Sequence, residues 1–287
     1  MQHPNWLDTD WDVVYNYYER IYDMGNVSDI WDMFDKIVCL HFLPWTGDRF
    51  NYTKAELDRV GILNNSKFEW ELTVPNKFFG YIRFPKGTKQ TGHGTVTQAN
   101  LPQTIHQYTL LKKLDIIGYE RVLFLEDDIV FHKDLNFIRS VIDKTPEDAD
   151  FANYDPFRRA GWLGAGKGYW GHYYDLSGNE VKMNDAVPDT FLRYNSVVYN
   201  TDCILMSHKG IHQFVENQER NICPGDWYTW KDTQGLNTYC VSQGNNICIQ
   251  NKSLDTKIND GYASTFEQVY KGLDLNDYNL PSDAVFE

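Results

Sequence analysis

The residues best suited to chemistry are three adjacent acids, Glu126-Asp127-Asp128, directly after the apolar run Val122-Leu123-Phe124-Leu125. Three carboxylates in a row repel one another, and they converge only if something positive offsets the repulsion. A hard divalent cation, Mn2+ or Mg2+, shared between carboxylate oxygens and a diphosphate is the natural partner. In an extended segment successive side chains point to opposite sides, so Glu126 and Asp128 share one face and Asp127 takes the other. Asp128 is expected to bind the metal directly, with one of Glu126 and Asp127 holding a ribose or a metal-bound water.

An acidic triplet alone usually caps a helix or faces water. This one gains weight from the elements around it. The all-apolar run before it reads as a buried strand, and in an open α/β sheet ligands bind beyond the carboxyl ends of strands. Leu101, Ile105, Tyr108, Leu111 and Leu114 recur at helical spacing, and Gly118 is placed to end that helix. The segment 37–42 is a further buried strand, closed by Pro44 and Gly47. Strands are also expected at 68–72, 151–154, 197–206 and 247–249, and helices at 54–60, 135–142 and from Ser207, a good N-cap, to about Gln218. Strands alternating with helices define an α/β fold with a mostly parallel sheet. Residues 1–34, rich in Trp, Tyr and Asp, read as a helical extension outside that sheet, with 35–287 as the main domain. The Gly- and aromatic-rich stretch 157–174 reads as a long loop.

Composition narrows the partners. The chain has 287 residues and a net charge of −13, which argues against nucleic acid. A negative protein still binds a nucleotide when a divalent ion bridges the charges. The 19 Tyr and 9 Trp supply flat apolar faces of the kind that stack on sugars or fill cores. Five scattered cysteines, without a CxxC pair, read as reduced buried thiols. Asp8, Asp10 and Asp12 and the lack of an apolar core at the N-terminus argue against a signal peptide. No run of 18 apolar residues suggests a membrane span. A cytoplasmic protein is expected.

Several stretches together resemble glycosyltransferase family 25, the group of bacterial lipooligosaccharide and collagen galactosyltransferases. Gly118-Tyr119-Glu120-Arg121-Val122-Leu123-Phe124-Leu125-Glu126-Asp127-Asp128-Ile129 is similar to that family's acidic core. Cys39-Leu40 followed by Asp48-Arg49 resembles its first strand and nucleotide-contacting segment. Thr104-Ile105-His106 stands where the family has Ser-His, with Ile105 in place of the serine. Cys203-Ile204-Leu205-Met206-Ser207-His208-Lys209-Gly210 resembles its next strand and helix, and Pro224-Gly225-Asp226 its Pro-Val-Asp motif, with Gly225 for the valine. The first 35 residues have no counterpart.

The resemblance implies a GT-A-type, Rossmann-like fold and a UDP-sugar donor, galactose or glucose favoured, with a glycan acceptor. It implies that Leu40, Asp48, Arg49, His106, Glu126 and Asp127 meet the nucleotide. It makes Asp226 the base that takes the acceptor's proton in an inverting transfer. Many GT-A enzymes add a late histidine to the metal. No histidine follows His212 here, so Asp255 or Asp260 is the expected substitute.

Two other classes compete. A nucleotidyltransferase shares the sheet and acidic site but needs a Gly-rich basic loop after its first strand, where this chain has Leu43-Pro44-Trp45-Thr46-Gly47-Asp48-Arg49. A non-catalytic Ca2+-dependent carbohydrate-binding protein explains acids and aromatics but not the order of motifs, and would bind sugar without nucleotide.

Overall fold

A computed structural model describes residues 28–42, 48–73, 89–90, 101–156, 173–182, 186–194, 202–222, 235–251 and 273–280. Thirteen strands are present among them: β1 (Lys36–Phe42), β2 (Phe68–Thr73), β3 (Lys89–Gln90), β4 (Arg121–Glu126), β5 (Ile129–Phe131), β6 (Phe151–Asn153), β7 (Tyr173–Tyr174), β8 (Glu180–Val181), β9 (Phe191–Tyr194), β10 (Cys203–Ser207), β11 (Asn221–Ile222), β12 (Thr238–Val241) and β13 (Cys248–Gln250). Four α-helices accompany them: α1 (Asp48–Arg59), α2 (Leu101–Ile117), α3 (Leu135–Ile142) and α4 (His208–Arg220).

Nine strands form one sheet in the order β2-β1-β4-β10-β6-β12-β9-β7-β8. The pairings set β1, β2, β4, β6, β7 and β12 in one direction and β8, β9 and β10 in the other. The sheet is therefore mixed, with six of its nine strands running one way, and the fold is α/β.

The strands β1, β4 and β10 are apolar on both faces because helices cover both. Ile37, Cys39, Leu123, Leu125, Cys203 and Leu205 face one layer, against Leu57 of α1 and Ile138, Val141 and Ile142 of α3. Val38, Leu40, Val122, Phe124, Ile204 and Met206 face the other, against Leu110, Leu111 and Leu114 of α2 and Ile211, Phe214 and Val215 of α4. A side-chain period of two feeds these layers alternately.

Trp31 and Phe34 are fully buried in the first layer, and Trp31 Nε1 donates to the Val60 carbonyl at 2.7 Å. Ile30, Trp31 and Phe34 thus belong to the main packing rather than to an extension outside it; the earlier part of that segment lies outside the described residues. Tyr173–Tyr174, expected within a loop, form β7 at the sheet's far side. Helix α1 begins at Asp48, six residues before the start expected from its apolar spacing. Gly61 and Gly118 follow α1 and α2 at φ 77° and 81°, a conformation that favours glycine. No helix among the described residues is long and apolar enough to cross a membrane.

Candidate active site

In the sheet order, β1 pairs with β2 on one side and β4 on the other. The chain's direction of winding reverses between β1 and β4, the position at which an open α/β sheet forms its ligand crevice beyond the carboxyl ends of the strands. The carboxyl end of β1 supplies His41 and that of β4 supplies Glu126. Because β10 runs antiparallel to β4, its amino end arrives at the same edge and brings Asp202, whose carbonyl accepts from Glu126 N at 2.9 Å.

The backbone is not extended through the acidic triplet. Strand β4 ends at Glu126, and Asp127 and Asp128 form a turn into β5. Glu126 and Asp128 still come together, and with Asp202 they place ligand-type oxygens within 4.8 Å of one another. All three are buried. Three carboxylates so close in low dielectric repel strongly. Their oxygen-only donor set fits a hard divalent cation such as Mn2+ or Mg2+.

Asp127 turns away from that cluster. Its carboxylate meets His41 Nδ1 at 2.6 Å and Arg49 at 2.6 Å. The same Arg49 reaches Asp128 Oδ2 at 3.1 Å. Arg49 comes from the first turn of α1, and Thr53, one turn on, donates its hydroxyl to the Asp127 carbonyl at 2.5 Å. Burial weakens the Arg49 cation, but Asp128 and Asp127 outweigh it and raise its pKa further. Asp128 is gripped from the far side of the chain: Gln250 Nε2 donates to its carboxylate at 2.9 Å and Asn251 N to its carbonyl at 2.5 Å. Gln250 reaches it because β13 pairs antiparallel with β5. From α2, Gln107 Nε2 donates to Glu126 Oε1 at 3.3 Å.

The expected site residues do not all come together. Arg49, Glu126, Asp127 and Asp128 are together. His106 stands one residue before Gln107, largely buried, and burial lowers its pKa from 6.5 to about 4. Asp48 opens α1. Leu40 is different: its side chain is fully buried in the core layer with Leu110 and Leu111, so only its backbone is left to meet a ligand. Asp226, Asp255 and Asp260 lie outside the described residues, as does Cys223. The other four cysteines are free and buried. Burial pushes the Cys39 thiol well up, and the charges of Asp127, Asp128 and Glu126 push it the same way.

Sequence reasoning missed His41, Thr53, Gln107 and Asp202. His41 had a signal, being the one polar side chain in the run 37–42. Asp202 had another: it precedes an apolar strand as Glu126 ends one, and an antiparallel pairing makes those positions neighbours.

No protein-family model matches this chain, and no curated protein matches it in sequence. Among solved structures, it is similar to mannose-1-phosphate geranyltransferase from Thermus thermophilus (10% identity, 72% of each chain covered, TM-score 0.34). It is also similar to UDP-glucose pyrophosphorylase complexed with UDP-glucose (8% identity, 72% of each chain, TM-score 0.35). A third is the glycosyltransferase GlyE of Streptococcus pneumoniae (14% identity, 78% of this chain and 56% of that one, TM-score 0.33). At such values the site's own geometry must carry the functional argument.

Proposed function

We propose that this chain is a GT-A-type, metal-dependent glycosyltransferase that moves a hexose, galactose or glucose favoured, from a UDP-sugar to a hydroxyl of a glycan or glycoconjugate. One observation carries the reading: Glu126, Asp128 and Asp202 converge at the crevice where the sheet's winding reverses. The run of motifs resembling glycosyltransferase family 25 supports it.

In this reading Glu126, Asp128 and Asp202 hold Mn2+ or Mg2+, with Asp255 a further ligand. The ion, when bound, neutralises charge on the departing diphosphate. Asp127 is a positioning residue: His41, Arg49 and Thr53 fix the turn that presents Asp128. Asp226 accepts the proton from the acceptor hydroxyl as that oxygen bonds to the anomeric carbon and the bond from that carbon to the UDP oxygen breaks. Gln107 reaches Glu126 from α2, and His106 beside it in sequence is held uncharged by burial.

The test is nucleotide release from a panel of UDP- and GDP-sugars, with Mn2+ and with EDTA, for wild type and Asp128→Ala, alongside thermal stabilisation by each nucleotide. UDP release from one donor, dependent on metal and Asp128, is the expected result. Release of pyrophosphate from a nucleoside triphosphate would move the assignment to nucleotidyl transfer. Neither release nor nucleotide-plus-metal stabilisation would end the transferase reading.

A further inference from the structure

A cavity of about 420 Å3 opens at the far side of the sheet, where the β7–β8 hairpin meets β9 and β12. The strand register places Tyr174 of β7, Arg193 of β9 and Tyr239 of β12 side by side: Tyr174 pairs with Arg193, and Arg193 with Tyr239. Directly paired residues project to the same face of a sheet with Cβ atoms about 5 Å apart, so an arginine stands between two tyrosines. All three line the cavity, together with Asp175 and Leu176 from the turn of the hairpin and Tyr194, which follows Arg193.

We propose that this cavity is a carbohydrate site separate from the acidic crevice, holding a neutral sugar unit through Tyr174, Arg193 and Asp175. A pyranose carries hydroxyls that both donate and accept, around a ring whose C–H faces are apolar. Arg193 only donates, and the bond from its Nη2 to Asn237 Oδ1 at 2.6 Å uses one of the N–H groups of its fork. Asp175 only accepts: Asn179 donates to its two oxygens at 2.7 Å and 2.8 Å, and those bonds hold its carboxyl below the ordinary value. Half-buried Tyr174 and exposed Leu176 add apolar surface. Tyr239 Oη donates to Asp148 Oδ1 at 3.0 Å, which pins its ring.

The same residues disfavour other ligands. Asp175 lines the cavity, Asp148 holds Tyr239, and Asp189 Oδ2 accepts from Leu176 N at 2.9 Å, so acids outnumber the one arginine and an anion is repelled. An apolar ligand would strand Arg193 and Asp175 without partners. Tyr194 adds a further sign of an occupant. Its hydroxyl is buried and has no hydrogen-bond partner among the described residues. Buried polar atoms of native proteins nearly always have one, and a sugar oxygen in the cavity that Tyr194 lines would supply it. The volume lies in the lower part of the roughly 300–1,000 Å3 typical of ligand clefts. Strand β9 is four strand spacings from β4, about 19 Å across the sheet, so a sugar can be held here while the crevice is occupied.

The experiment is saturation-transfer NMR on the full chain, without nucleotide and with EDTA, using the methyl glycosides of glucose, galactose, mannose and N-acetylglucosamine as probes. At least one glycoside should receive saturation, and sodium glucuronate should not displace it. Tyr174→Ala and Arg193→Gln should each weaken its binding about tenfold, with circular dichroism showing an unchanged fold. Asp128→Ala should bind as wild type does. Four results would each overturn the proposal: no transfer to any of the four glycosides, unaltered binding in both variants, loss of binding in Asp128→Ala, or tighter binding of glucuronate. None of them bears on donor hydrolysis, which is read separately as UDP release.

Discussion

His41 Nδ1 lies 2.6 Å from Asp127 Oδ2, and neither side chain reaches solvent. The pair joins the ends of β1 and β4 across the crevice, so the middle acid of the triplet serves as a fastening. His41 also packs against the rings of Phe50 and Trp70, at centroid distances of 5.0 Å and 5.9 Å. His41→Ala removes both the donor and the packing and should cost about 2–4 kcal/mol in a urea titration. His41→Asn keeps a donor near the Nδ1 position and should recover part of that loss.

Arg49 is the cation shared by Asp127 and Asp128. Replacing it with methionine keeps the bulk and strands two buried carboxylates, which typically costs about 3–5 kcal/mol. The double variant Arg49→Met/Asp127→Asn should be less destabilised than Arg49→Met alone, because one of the stranded charges has gone. Additive losses in chemical denaturation would argue against direct coupling.

Asp202 was not among the acids expected from sequence, and it tests the carboxylate cluster sharply. Asp202→Asn keeps the size and the backbone bond to Glu126 while removing a charge. Apparent Mn2+ affinity, read from metal-dependent UDP release or from thermal shift, should weaken by roughly tenfold to a hundredfold or more. An unchanged metal dependence would remove Asp202 from the ligand set.

His106 gives a pH signature. Burial lowers its pKa from 6.5 to about 4, so between those values the unfolded chain binds a proton that the folded chain refuses. Stability from this group is complete above pH 6.5, declines as pH falls through the window, and levels off below about 4. Urea midpoints at about pH 7, 5.5 and 4.5 should fall less steeply for His106→Gln than for wild type.

Gly210 has no room for a side chain. A Cβ there would sit 2.5 Å from the Asp150 carbonyl oxygen and 3.2 Å from the Phe151 ring. That carbonyl accepts from Ser207 N, and Ser207 Oγ in turn accepts from Gly210 N at 3.0 Å, capping α4. Gly210→Ala should therefore lower the melting temperature, with about 1–3 kcal/mol lost to overpacking.

Much of this was legible in the sequence. Helices α2 and α3 run over the spans expected from apolar spacing, and Ser207 caps α4. The fold class followed from alternating elements and from strands apolar on both faces. What could not be read is what the pairing of distant strands decides. Asp202 joins Glu126 only because β10 runs antiparallel to β4, and Gln250 joins Asp128 only because β13 pairs with β5. A single sequence carries no register. The turn at Asp127 was hidden for a related reason: its stabilising partners, His41, Arg49 and Thr53, are 86, 78 and 74 residues away.

The grip of Gln250 and Asn251 on Asp128 has a consequence for how the protein is made. A ribosome delivers β1 and β4 early, yet the acidic turn lacks its last supports until β13 has emerged. Until then Asp128 lacks the donors that Gln250 and Asn251 supply. The nascent chain can build most of its sheet before it can finish this turn, so the acidic cluster is completed as a late event of synthesis.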